Sequence, residues 1–357
     1  MQPHILCLIA ATICLAVSGG FAADTKPVSL TGWGIDEKHL DTFMAEAQAV
    51  GFDTLITWNT DPANLTKLVA AGRQHNLRIF SSIAPMGAIG SQWTQRYPDR
   101  PVPWQVMSPD EDAALKFITA GKNRFLINYQ FGGEPLLTNE VLTDRIICFT
   151  DPDARALFQP VIDEIASVRG LAGLAFDGFG YQNYHDCRCE RCQRLLAEYR
   201  QAHPELAADA AATAFFRGAL VDYINALADY ARSRRGDLQT AIHIWPVFAP
   251  DPLYGNLLDV DYCGQTAAWY TLWPPDKIAA YSRTISGEAK KYHARQTGVG
   301  MIGYYDRPGQ FPVKDAAQVE LEIRTMLDNG CRSLQVCSAI EVIRNKDIAA
   351  VFSKYCR

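Results

Sequence analysis

The sequence predicts an α/β protein, a single (β/α)8 TIM barrel with a long loop excursion after the third strand. Eight short apolar runs recur along the chain, and amphipathic helical segments separate nearly all of them. The 357 residues are 48% hydrophobic and 20% charged, which suits a globular chain with a large core. An open doubly wound sheet is the alternative, but the turn GWGIDE after the first strand lacks the glycine-rich phosphate pattern of that fold.

The N-terminal residues predict export. Residues 5–17 form an apolar run, ILCLIAATICLAV, which is too short to span a membrane comfortably. Small residues follow it, with Gly20 and Ala22 suited to a signal-peptidase site. We therefore expect residues 1–22 to be a signal peptide, residues 23–357 to form the barrel domain, and the mature protein to be secreted or periplasmic. We expect no membrane span, because no later run is long and apolar enough.

The strands and helices follow in a regular order. Up to residue 85 the pattern predicts strand, helix, strand, helix and strand, and residues 86–150 form the excursion, rich in Trp, Pro, Gly and Tyr. A helix at 152–170 leads into strand four, and the helical sequence after strand four is broken near His203-Pro204. The later strands are predicted at 238–248, 260–270, 297–306 and 331–342, and the link between strands five and six is barely helical.

Aromatic and polar side chains gather at the predicted strand ends, where barrel enzymes place their active sites. Aromatic rings pack on the C–H faces of sugars, and polar groups bind sugar hydroxyls, so this mixture predicts a carbohydrate substrate. The candidate substrate-binding residues are Trp33, Asp36, Trp58, Asn59, Tyr181, His243, Trp245, Gln265, Trp269, Tyr304 and Tyr305.

Glycosidic cleavage generally needs two carboxyl groups, and three are candidates. Asp177 follows the buried run LAGLAF and precedes Gly178, so it is the first choice. Asp306 and Glu341 compete for the second role. Asp177 could instead shape a turn, and Asp36 could cap the first helix. The predicted function is a glycoside hydrolase, with a non-catalytic carbohydrate-binding barrel as one alternative.

Other chemistries have weaker signals. The chain has no Gly-x-Ser-x-Gly elbow, His-Glu-x-x-His motif or phosphate loop, and no organic cofactor is expected. A metal-dependent hydrolase of the deacetylase type, acting at His243, remains a second alternative. The net charge of −5 and the lack of a basic block argue against nucleic acid as a partner.

Cys187, Cys189 and Cys192 form a Cys-x-Cys-x-x-Cys cluster that could supply three zinc ligands. Cys148 is the natural fourth ligand, because it ends the excursion before the third helix. His185, Cys263 and an arrangement of disulfides remain open, and export raises the case for disulfides.

Residues 176–200, FDGFGYQNYHDCRCERCQRLLAEYR, resemble the strand-four region of glycoside hydrolase family 42 β-galactosidases and related barrel glycosidases. In that group a carboxylate at the end of strand four precedes the same cysteine motif. The resemblance implies a structural zinc held by Cys148, Cys187, Cys189 and Cys192, and it places Asp177 near the general acid/base. The family's Asn-Glu at strand four is Phe176-Asp177 here, and IGYYDRPG shows no counterpart of its nucleophilic Glu, so family 42 activity is not implied.

Overall fold

The predicted barrel is confirmed: eight parallel strands close in the order β1 to β8 in the computed structural model of this protein. The structure describes residues 28–113, 145–183, 185–244, 255, 257–270, 272–292, 298–306 and 312–357. The strands are Ser29–Trp33 (β1), Thr54–Thr57 (β2), Arg78–Ile83 (β3), Gly173–Phe176 (β4), Gln239–Ile244 (β5), Tyr262–Ala268 (β6), Val299–Gly303 (β7) and Ser333–Cys337 (β8).

Helices surround the barrel and follow most of its strands. Several of them begin at a capping side chain: the Asp61 side chain accepts from the Asn64 N–H, and Asp315 accepts from the Gln318 N–H. The α-helices are Leu40–Val50, Pro62–Gln74, Ile89–Arg96, Pro152–Ala156, Phe158–Ser167, Glu190–Ala202, Ala208–Arg234, Pro275–Tyr292, Ala316–Asp328, Ala339–Arg344 and Lys346–Cys356, and Glu37–His39 is a 3-10 turn.

Polar side chains from four parts of the chain close the N-terminal end of the barrel. The guanidinium of Arg78 on β3 donates to Gln239 on β5 at 2.9 Å and to the Tyr262 hydroxyl on β6 at 3.0 Å. It also pairs with Asp53 at 3.0 Å. This network ties β3 to β5 and β6 at the floor of the barrel, at the end opposite to the one where the strands terminate.

Higher in the barrel, a single hydrogen bond fixes the ring of Trp33. Its indole N–H donates to the side-chain oxygen of Gln335 on β8 at 3.0 Å, and both residues are fully buried. Gly264 on β6 makes room for this contact, since a Cβ there would overlap the Gln335 amide. The glycine at position 264 on β6 therefore leaves room for the Gln335 amide, which orients the Trp33 ring on β1.

The helices after β4 agree with the predicted organisation, whereas the end of β8 corrects it. The helical break near His203-Pro204 is confirmed, because one helix ends at Ala202 and the next begins at Ala208. The eighth strand is shorter than predicted: it ends at Cys337, and a helix begins at Ala339 with Ser338 as its cap. Glu341 therefore lies in the first turn of a helix rather than on a strand.

The excursion after β3 contains a helix, Ile89–Arg96, and one antiparallel bridge between Trp104 and Ile147. Residues 114–144 of the excursion and most of the link between β5 and β6 lie outside the described residues, as do residues 1–22. Within the described ranges, no helix combines the length and hydropathy that a bilayer crossing requires.

Candidate active site and cysteine cluster

Asp177 lies directly after β4, and two neighbouring elements hold its carboxylate. The indole N–H of Trp58, just past β2, donates to Oδ2 at 2.9 Å. The Nδ1 atom of His243 on β5 lies 3.7 Å from Oδ1. The Asp177 side chain is 19% exposed, whereas that of His243 is only 4% exposed. The carboxylate is thus fixed in orientation and still open to a ligand at the barrel mouth.

Four rings form a continuous aromatic wall beside this carboxylate: Trp33, Trp58, His243 and Trp269. The ring centroids of Trp33 lie 6.2 Å from those of Trp58 and 5.8 Å from His243, and His243 lies 5.0 Å from Trp269. Trp33 and Trp269 are buried, but 47% of Trp58 is exposed. A large, exposed indole next to a fixed carboxylate is suited to packing against the apolar face of a sugar.

A buried ion pair anchors one end of this wall. The ammonium of Lys314 donates to the backbone carbonyls of Trp269 and Gly303, just beyond β6 and at the end of β7, and it pairs with Glu322 at 2.8 Å. Burial lowers the pKa of Lys314 and raises that of Glu322, and the charge of each partner opposes the shift. Sequence reasoning missed Lys314, since a single lysine before a helix carries no signal of burial.

The candidates on the β7–β8 side meet around Tyr304. Its buried hydroxyl accepts from Nδ2 of Asn345 at 2.9 Å. Burial, assisted by the negative charges of Asp306 and Glu341, raises the pKa of Tyr304 to about 12. Asp306 is exposed, and Glu341 is partly exposed in its helical turn. The ring of Tyr305 lies 4.5 Å from that of Tyr270. The negative charges of both competing carboxylates therefore raise the pKa of the same phenol.

The β1–β2 rim contains a carboxylate that the sequence analysis did not select. Glu37 is exposed and accepts hydrogen bonds from the Asn59 amide at 3.1 Å and from the Thr57 hydroxyl at 3.1 Å. Asp36 caps the 3-10 turn instead and pairs with Arg344 at 3.1 Å. Burial opposes ionisation of Asp36, but hydrogen bonds from His39 and Arg344 outweigh it and lower its pKa.

Three predicted binding residues are not part of the Asp177 group as described. Tyr181 is buried, and its hydroxyl donates to the Phe216 carbonyl at 2.8 Å. Gln265 is buried on β6, where its amide packs against Gly255. Trp245 lies outside the described residues.

The four predicted cysteines come together in the structure. The sulfurs of Cys148, Cys187, Cys189 and Cys192 all lie within 4.8 Å of one another, and neither His185 nor Cys263 belongs to this group. Three of the four cysteines are buried, and Cys189 is partly exposed. The chain segments before and after β4 therefore meet at one four-thiol cluster.

The spacing of the sulfurs fits a tetrahedral metal. Sγ of Cys148 lies 3.8 Å from Cys187, 3.8 Å from Cys189 and 3.5 Å from Cys192. Metal–sulfur bonds of about 2.3 Å in a tetrahedron put neighbouring sulfurs about 3.8 Å apart, whereas a disulfide needs about 2.05 Å. The N–H groups of Val106 and Cys192 donate to two of the sulfurs, each at 3.4 Å. These four residues could hold a metal ion.

Comparisons with known proteins show the fold. No protein-family model matches the chain, and no curated protein matches it. Among solved structures, a β-galactosidase from Bacillus circulans sp. alkalophilus has a TM-score of 0.59 at 9% identity, covering 92% of this chain and 56% of that one. An α-L-fucosidase isoenzyme 2 from Paenibacillus thiaminolyticus has a TM-score of 0.53 at 12% identity, covering 93% of this chain and 49% of that one.

The PgaB (BpsB) glycoside hydrolase domain from Bordetella bronchiseptica has a TM-score of 0.50 at 9% identity, covering 92% of this chain and 98% of that one. The chain spans about half the length of the galactosidase and fucosidase chains. The comparisons thus support the resemblance seen in the sequence at the level of the TIM barrel, a fold that glycoside hydrolases of several kinds also have. The four-cysteine cluster is an observation on this chain alone.

Proposed function

We propose that this protein is a glycoside hydrolase in which Asp177 is one of the two working carboxylates. The observation that carries the proposal is the partly exposed Asp177 carboxylate, held by the Trp58 indole and beside His243, with an aromatic wall next to it. A fixed, partly desolvated carboxyl group can transfer a proton to a leaving oxygen, and the rings can orient the sugar.

Asp306 and Glu341 are the proposed candidates for the second carboxylate. The charges of both raise the pKa of Tyr304, and Asp306 lies in the loop just after the end of β7. Glu37 is a third candidate, because it is exposed on the rim of the barrel just after β1 and accepts a hydrogen bond from Asn59. Only one of the three is expected to match Asp177 in its importance for turnover.

The test is hydrolysis of a panel of neutral glycosides by the wild type and by Asp177→Asn. The substitution keeps the shape of the side chain but removes the titrating group, so we expect about a 10³-fold loss of kcat. Asp306→Asn, Glu341→Gln and Glu37→Gln then identify the partner. Asp163→Asn, on the outer helix Phe158–Ser167, is the matched control and should leave kcat unchanged.

Undiminished cleavage by Asp177→Asn would remove this residue from the mechanism. Sugar binding without cleavage would favour the non-catalytic carbohydrate-binding alternative. The metal-dependent hydrolase has less support, because among the described residues the cysteine cluster is the only His, Cys, Asp or Glu group suited to a metal.

We further propose that the four cysteines hold a structural zinc ion, which their sulfur spacing supports. The ion would join the end of the excursion to the segment that follows Asp177. Residues 1–22 are proposed to direct export and to be removed, so that residues 23–357 form the mature barrel. N-terminal sequencing of the exported protein should then begin near Ala23, and an intact Met1 would contradict this.

A further inference from the structure

A cavity of about 220 Å³ lies against Trp58 on the β3 side of the barrel mouth. Its walls come from the end of β3, the segment after β3 and the helix Phe158–Ser167. The cavity adjoins the candidate carboxylate in two ways. Trp58, which lines it, donates to Asp177, and the carbonyl of Ile83, another lining residue, accepts from the Asp177 N–H at 3.0 Å.

One lining group has an unmet hydrogen-bonding capacity. The hydroxyl of Ser82, on β3, is buried and has no hydrogen-bond partner among the described residues, and the residue itself is only 3% exposed. Buried hydroxyls are nearly always paired in folded proteins, because an unpaired one loses its hydration without compensation. A ligand hydroxyl in the cavity would complete the bonding of Ser82.

The remaining lining residues describe the chemistry of the occupant. Trp58, Ile83 and Met86 offer apolar surface, while Thr60 and Gln92 add two neutral polar groups to Ser82. The residues that line the cavity, all in the described part of the chain, carry no charge. An occupant should therefore be neutral, with an apolar face and a few hydroxyl groups, which is the chemistry of an uncharged pyranose ring.

We infer that this cavity is a subsite for a second, uncharged sugar residue, next to the residue that Asp177 acts on. This inference rests on the proposed function. Trp58 serves both parts of the site: its N–H orients Asp177, and its ring forms a wall of the cavity. The substrate would then be a neutral oligosaccharide, and a single sugar ring would leave the cavity unfilled.

Calorimetric titration with defined sugars tests the inference directly. Asp177→Asn protein prevents turnover during the titration, and the probes are lactose, cellobiose and maltose, their monosaccharides, and cellobiouronic acid. At least one neutral disaccharide should bind about 10-fold more tightly than its monosaccharides. The charged disaccharide should bind no more tightly than a monosaccharide, because no lining side chain offsets its charge.

Two further variants locate the binding. Ser82→Ala removes one hydrogen bond and should weaken disaccharide binding about fivefold. Ala84→Leu fills part of the cavity and should weaken it more than 10-fold. Neither change should alter monosaccharide binding. Ser282→Ala is the control, because Ser282 is equally buried but bonds within its own helix.

Equal affinity for disaccharides and monosaccharides, no binding of any neutral disaccharide, or unchanged affinity in both cavity variants would overturn the inference. Cleavage by the wild type is measured separately. Activity without disaccharide preference refutes the subsite and leaves the proposed hydrolase standing. Disaccharide preference without activity refutes the hydrolase and supports the subsite.

Discussion

Asp177 and the first cysteine of the Cys-x-Cys-x-x-Cys motif both follow β4, ten residues apart, but their surroundings differ. Asp177 is partly open to solvent, and its two oxygens face groups from β2 and β5. The cysteine cluster is largely buried, and its sulfurs contact one another and backbone N–H groups. The Asp177 carboxylate can still contact a ligand at the barrel mouth, whereas the cysteine sulfurs make their contacts within the protein.

The difference distinguishes a group that is suited to react from a site that is suited to stabilise the fold. A reacting group must be fixed in orientation but accessible, because it changes partners during the reaction. A stabilising site is most effective when buried and saturated, because its bonds are then lost only on unfolding. By this criterion Asp177 is suited to turnover, and the cysteines are suited to bracing the segment between Asp177 and the helix Glu190–Ala202.

The largest effect on stability is expected from Cys192→Ala. Loss of one of the four thiols should release the zinc ion proposed above and lower the free energy of unfolding by about 3 kcal/mol, because structural metal binding contributes to folding. Denaturant unfolding and metal analysis by mass spectrometry measure the two effects. At 25 °C the folded fraction should keep kcat within about twofold, in contrast to Asp177→Asn.

Cys263→Ala provides the matched comparison, since Cys263 is equally buried on β6 but lies outside the cluster. It should retain the metal and lose only the packing of one sulfur. If both variants were destabilised equally, or if the wild type contained no metal, the division between a supporting and a reacting cluster would have to be abandoned.

A smaller effect, on turnover rather than on stability, is expected from Trp58→Phe. The ring is retained but the N–H donor to Asp177 is lost, so kcat should fall about 10-fold, as for one hydrogen bond to a charged group. The midpoint of thermal unfolding should change little, because Trp58 is 47% exposed. Steady-state kinetics and a thermal scan separate the two readouts.

Trp273→Phe is the control for this change. Its indole N–H is buried and has no hydrogen-bond partner in the described ranges, so kcat should be unaffected. A loss of stability without a loss of turnover in Trp58→Phe would mean that the indole supports the fold and does not position Asp177.

The sequence predicted the barrel and the meeting of Cys148 with the other cysteines because both depend on local patterns and chain order. Eight alternating strand–helix units favour a closed parallel sheet, in which the ends of consecutive units become neighbours. The position of Asp177 directly after β4 follows from the same reasoning. Glu341 was misplaced because the apolar run continues past Cys337, as is typical of a longer strand, although Ser338 and Glu341 have the Ser-x-x-Glu spacing that starts a helix.

What escaped prediction depends on contacts between distant residues. Tyr181 and Trp58 both follow strands, but one packs into the core against Phe216 and the other faces the mouth. Glu37 begins the 3-10 turn after β1, and its carboxylate accepts from the distant Asn59 amide. Composition and spacing do not determine which face of a loop a side chain occupies, and only the packed structure distinguishes them.

Lys314 should make the geometry of the barrel mouth insensitive to the salt concentration. Its ammonium holds the carbonyls of Trp269 and Gly303 from within the protein, where dissolved ions do not reach. Surface ion pairs weaken as salt is added, whereas a buried charge is screened far less. The spacing between Trp269 and His243 should therefore be the same in brine as in dilute buffer.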